Sequence, residues 1–174
     1  MLKIFTFNRV KILQNDKDIK LPKKAFAFLI FIASEPEGFS YEYLADIFWP
    51  LKNEIRAKKN LYQKLYSLGL RMTNIKDYLL TGERIRFNGN NVYVDFRELE
   101  KLIKVFDISN SDEKKEIFKK IDVLYKGQFL NDFNIRSLDE FEEWMFIKRE
   151  SLQSLFLKVL DNMTDIYATE KNNN

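Results

Sequence analysis

The chain has 174 residues, 45% hydrophobic and 15% aromatic, enough apolar content for one good core or two small ones and too much for disorder. It holds no Cys and no His, which excludes disulfides, thiolate or His-ligated zinc, and Ser-His or Cys-His catalysis. Net charge is only +3, but residues 1–106 carry 19 Lys/Arg against 12 Asp/Glu (+7) and residues 107–174 carry 10 against 14 (−4). A basic half suited to a polyanion thus precedes an acidic half with another task.

"LKIFTFNRVKIL" (2–13) alternates and is rich in β-formers. "QNDKD" reads as a polar turn and "IKL" as a short return strand, together a three-strand antiparallel meander. Pro22 suits a first helical position, and "KKAFAFLIFIASE" predicts a helix over 23–35 with Ala25, Phe28, Leu29 and Ile32 on one face. "PEGFS" breaks the chain. Ser40 is a candidate N-cap for a helix over 41–48 that turns Leu44, Ile47 and Phe48 inward before Trp49-Pro50 stops it.

The short loop "PLKN" leads to a third helix at about 54–72. Two short β runs, 78–81 and 84–87, surround Gly82-Glu83, and a weaker run, 92–94, follows the "NGNN" turn. "DFRELEKLIKVF" (95–106) has helical spacing, with Phe96, Leu99, Leu102 and Ile103 inward. After the connector "DISNSD", Ser111 is a candidate cap for a helix over 112–125. One long amphipathic helix follows "YKGQFLNDFN", from about 138 to 168, with "EKNNN" as a frayed tail. No partner follows that helix, the expectation for a piece of a longer helical array.

The 54–72 helix faces two ways. At 100° per residue Leu61, Leu65, Leu68 and Met72 form one seam, and Arg56, Lys59, Gln63 and Tyr66 lie opposite, flanked by Asn60, Tyr62 and Ser67. With its preceding loop it carries six cations (Lys52, Arg56, Lys58, Lys59, Lys64, Arg71) and one acid, Glu54, and no Glu partner at i,i+4 is expected to neutralise them. Gln, Asn and Arg bond bidentately to base edges, whereas Lys and Tyr suit phosphates. Arg56, Lys59, Asn60 and Gln63 are therefore candidate base readers. Lys52, Lys58, Tyr62, Lys64 and Tyr66, with Arg84 and Arg86 of the following hairpin, are candidate backbone contacts. Two helices joined by a tight loop and followed by a hairpin is a DNA-binding order, helix-turn-helix then wing.

Several stretches carry a family resemblance. "LPKKAFAFLIFIASEPEGFSYEYLADIFWP" resembles the start of the antibiotic regulatory proteins of the SARP/AfsR class, and "AKKNLYQKLYSLGLRM" parallels that family's next helix through Asn60, Leu61, Gln63, Leu65 and Leu68. "LYKGQFLNDF" and "LDEFEEWMFIKRESLQSLFLKVL" resemble the opening of the bacterial transcriptional activation domain. The resemblance spans roughly residues 2–165. It implies an OmpR-type winged helix with an N-terminal antiparallel sheet (1–106), followed by a tetratricopeptide-like helical hairpin (107–174), within an α+β chain. It also implies binding to double-stranded DNA on repeated half-sites, as a homodimer or in tandem, and an RNA polymerase contact in the loop 50–53.

Other chemistry finds little footing. Asp139, Glu142 and Glu143 fit a solvated first helical turn, and no glycine-rich phosphate loop exists. No run nears the roughly 18 apolar residues of a membrane span, and no signal-peptide pattern is present. The expectation is a cytoplasmic, sequence-specific DNA-binding transcription regulator, an activator without cofactor, metal or enzymatic activity. The rival reading is a protein-interaction scaffold whose winged helix no longer binds DNA.

Overall fold

The computed structural model describes residues 1–50, 52–136 and 138–172. It is a mixed α+β structure in which small sheets are followed by helices. Strand β1 (Leu2–Phe5) pairs antiparallel with β2 (Lys11–Gln14), which pairs with β3 (Lys17–Asp18). Asn15 and Asp16 between them both have positive φ, 50° and 63°, as a two-residue type I′ turn requires. The sheet has a fourth strand that the local pattern does not place. Val92–Val94 joins β1 in parallel, with Leu2 opposite Val92, giving the order β3-β2-β1 and then this strand.

Helix α1 (Lys23–Ala33) buries Ala25 and every residue from Ala27 to Ala33, so it is a core helix rather than a one-faced one. It starts at Lys23 as expected, with Pro22 as the cap rather than the first helical residue, and it stops at Ala33, short of the expected 35 and ahead of Pro36. Helix α2 (Tyr41–Phe48) begins where Ser40 predicts, its Oγ accepting from the Tyr43 N–H at 3.2 Å. Helix α3 (Glu54–Arg71) is capped by Asn53, whose Oδ1 accepts from the Arg56 N–H at 3.0 Å. The buried Gln14 ties the end of α3 to the sheet: its amide donates to the Thr73 carbonyl and accepts from the Thr73 N–H at 3.0 Å.

Strands β4 (Leu79–Thr81) and β5 (Ile85–Phe87) form a separate hairpin. Phe39, ahead of α2, bridges to Ile85 through both backbone bonds, 3.0 and 2.8 Å. This approach requires Gly38: its φ is +69°, and a Cβ there would stand 2.2 Å from the Ile85 carbonyl oxygen. Strand β6 (Val92–Val94) then returns to the first sheet and runs straight into α4 (Asp95–Ile108). The buried Asp95 carboxylate accepts from Thr6 N–H (2.6 Å), Thr6 Oγ1 (2.6 Å), Phe7 N–H (3.1 Å) and Phe96 N–H (2.8 Å). Burial pushes its pKa above the usual carboxylate value, and these bonds oppose that shift.

Helix α5 (Ser111–Leu124) is capped by Asn110 rather than Ser111, because Glu113 stands three residues after Asn110 and completes a capping box. After α5 the chain lies back beside the first sheet at Phe129 and Leu130. Phe129 bridges Phe7, and the Leu130 N–H donates to the Thr6 carbonyl at 2.9 Å. Arg149 clamps this segment by donating to the carbonyls of Phe129 (2.9 Å) and Leu130 (3.0 Å). Helix α6 (Asp139–Asn172) continues past the expected end at 168. Asn173 and Asn174, in the stretch expected to fray, lie outside the described residues. Glu142, expected in a solvated turn, is half-buried and accepts from the Ile135 N–H at 3.0 Å.

The core is one continuous cluster from Leu2 to Met163. Aromatic rings join its two ends. Phe31 meets Trp144 at 5.0 Å, Phe48 meets Phe141 at 5.9 Å and Phe96 meets Phe129 at 5.4 Å between centroids. Among the described residues no helix is long and apolar enough to cross a membrane.

Candidate nucleic-acid interface

Ala57, Leu61 and Leu68, with Met72 just beyond, bury one side of α3. At 100° per residue the line directly opposite runs through Lys59, Gln63, Tyr66 and Leu70, with Arg56 and Asn60 on one flank. Arg56, Lys59 and Gln63 are exposed and Asn60 is half-buried. Among the described residues, none of these four side chains makes a hydrogen bond or ion pair. Their donors are free to meet something else.

The backbone candidates divide. Lys52 and Arg86 are exposed, and so are Tyr62 (58%) and Tyr66 (71%). Tyr62 lies 5.6 Å from Tyr41, on the side of α3 that faces the start of α2 and, through Phe39, the hairpin. Leu51, in the loop 50–53, lies outside the described residues.

Two cations are already occupied. Lys58 bonds Glu54 at 2.9 Å and Glu42 at 3.0 Å, which together hold its ammonium group well above the usual lysine range. The expectation that no acid neutralises this helix is therefore corrected at Lys58: Glu54 is its i−4 neighbour, and Glu42 arrives from α2. Arg84 donates from Nε to the carbonyls of Glu37 and Gly38, both 3.1 Å, and from Nη2 to Gly38 at 2.5 Å. Its guanidinium fastens the hairpin to the loop before α2.

The other flank of α3 gathers cations that the linear pattern did not group. Lys64, half-buried, neighbours Arg71 one helical repeat on and Lys24 from the first turn of α1. Lys24 Nζ lies 4.6 Å from the centroid of the Trp49 ring. Burial, and then the charge of the next cation in the row, hold both lysines below the usual 10.5: Lys64 by Arg71, and Lys24 by Lys64. Among the described residues no carboxylate pairs with any of the three. Lys24 had a sequence signal of its own, because α1 opens with Lys23-Lys24 and no acid in a first turn where the helix dipole disfavours cations.

Like charges held together without counterions create a site for an anion, and free amides beside them offer direction-dependent hydrogen bonds. The surface therefore combines a non-specific electrostatic element with a selective one. No family model matches the chain, and no curated protein matches it.

Proposed function

We propose that this chain is a sequence-specific DNA-binding regulator of transcription, an activator built on a winged helix, with α3 as the major-groove reader and the β4–β5 hairpin as the wing. The observation that carries this reading is the outward face of α3, where Arg56, Lys59, Asn60 and Gln63 have no side-chain partner among the described residues, beside Lys24, Lys64 and Arg71, which no described carboxylate pairs. The order α2, tight loop, α3, hairpin supports it, as does the resemblance of residues 2–165 to SARP/AfsR-type regulators.

In this mechanism Lys24, Lys52, Lys64, Arg71 and Arg86 displace counterions from phosphates and supply most of the affinity. Tyr62 and Tyr66 add phosphate contacts, while Asn60, Gln63, Arg56 and Lys59 meet base edges and supply the selectivity. So narrow a reading face implies two copies on repeated half-sites, and the loop between α2 and α3 offers a contact for RNA polymerase.

Binding-site selection on random duplexes tests the reading. A recovered consensus is expected, with Gln63→Ala relaxing one position of it and Lys59→Ala weakening binding across sequences. Failure to enrich any sequence, or a consensus that both variants bind as the wild type does, removes α3 from the role. A second reading, a scaffold that binds protein, draws on Phe146 and Leu157, which are 59% and 50% exposed on the same side of α6. Sequence-blind, weak duplex affinity would favour it.

A further inference from the structure

Ile55, the second residue of α3, is 81% exposed. A β-branched side chain loses rotamer freedom in a helix, and here no burial compensates. Lys52, Arg56 and Lys59 surround it in sequence, together with Glu54, which is paired with Lys58 at 2.9 Å, so an apolar protein surface arriving at Ile55 would have to desolvate three cations. A DNA groove makes no such demand, because phosphates and base-edge acceptors meet the cations while an aliphatic carbon meets the C5 methyl group of thymine. The two amides that follow, Asn60 and Gln63, are the side chains that bond adenine bidentately, while Arg56 and Lys59 are the two that favour guanine.

We infer that residues 55–63 of α3 recognise a subsite containing A·T pairs, with Ile55 against a thymine methyl group and Asn60 and Gln63 on adenines. This rests on the DNA-binding reading above and adds the class of sequence. Tyr66 and Leu70, 71% and 72% exposed, lie outside the subsite. They are about 16–22 Å further along the helix at 1.5 Å per residue, and recognition helices use their N-terminal residues on base edges.

Deoxyuridine provides the test, because it lacks the methyl group of thymidine and keeps every hydrogen-bonding group. Each thymine of the selected site is replaced in turn and the dissociation constant measured. One replacement is expected to weaken wild-type binding about fourfold, the worth of one buried methyl. Ile55→Ser should bind the thymine and uracil duplexes equally, with an unchanged unfolding midpoint, and Leu70→Ser should keep the wild-type sensitivity. A consensus of G·C pairs, uniform indifference to uracil, or sensitivity that survives Ile55→Ser overturns the inference while leaving α3 as a reader. Failure to select any site overturns both.

Discussion

Helices α3 and α5 are both rich in lysine, yet their cations end in opposite situations. On α5, Lys115 pairs with Asp112 at 3.4 Å and with Glu170 of α6, Lys119 pairs with Glu116 at 2.5 Å, and Lys114 donates to Asn162 at 3.1 Å. On α3 only Lys58 is paired, and Arg56, Lys59, Lys64 and Arg71 are not, among the described residues. The difference lies in the acids: α5 carries Asp112, Glu113, Glu116 and Asp122, whereas α3 carries Glu54 alone. The number of lysines therefore says little about whether a basic helix is merely solvated. The positions of carboxylates decide it.

The largest test removes the unpaired row. Lys24→Ala, Lys64→Ala and Arg71→Ala together should cut the slope of log affinity against log salt by about 2.7 and weaken duplex binding roughly a hundredfold at physiological salt. The matching triple on α5, at Lys115, Lys119 and Lys120, should leave both quantities unchanged. Equal losses from the two triples would break the comparison.

The two arginines of the hairpin sharpen it. Arg86→Ala should lower the salt slope by about one without moving the unfolding midpoint. Arg84→Ala should do the reverse, costing about 1 kcal/mol of stability in denaturant titration through the lost bonds to the Glu37 and Gly38 carbonyls.

Titration separates the helices further. Lys24 and Lys64 ionise below the usual 10.5, and Lys115 above it because Glu170 bonds its ammonium group. As pH rises toward 10.5, Lys24 and Lys64 should discharge first. Stability linked to them rises through that window, since their folded pKa values are the depressed ones. Lys115 contributes stability that is present below 10.5 and lost above it. Duplex affinity should fall over the Lys24 and Lys64 window, and binding there should take up protons, measurable by calorimetry in buffers of different ionisation enthalpy. Proton uptake that persists in Lys24→Ala/Lys64→Ala would refute the assignment.

The smallest effect belongs to Lys58→Ala. Its ammonium group is engaged by two carboxylates, so the variant should bind duplexes within twofold of the wild type, as the α5 variants do. A loss comparable to that of Lys59→Ala would place Lys58 among the free cations.

Much of this was legible locally. Ser40 announces α2, the apolar spacing of Leu61 and Leu68 fixes which way α3 turns, and Arg56, Lys59 and Gln63 fall on its free side as the period requires. Contacts that depend on distant segments were not legible. Glu42 reaches Lys58 from another helix, Gly38 captures Arg84 across 46 residues, and Lys24 of α1 feels the charge of Lys64 of α3 only in the folded chain. Strand β6 has only three residues, and its partner lies 90 positions earlier, beyond any local pattern. Asn110 took the cap expected of Ser111 because a reciprocal Glu113 outweighs a lone hydroxyl.

The parallel pairing of β1 with β6 has a consequence for biosynthesis. Leu2 and Ile4 cannot complete their sheet until Val92–Val94 has left the ribosome, and Thr6 also waits for Leu130. At about 5–20 residues per second, the nascent chain spends roughly 5–25 s with Phe28, Phe31 and Phe48 short of their final neighbours. Because Phe129, Phe141 and Trp144 close that core from the far end of the chain, release of the N-terminal half alone would leave an adhesive aromatic surface. Such a nascent chain is a natural client for the cell's holding chaperones.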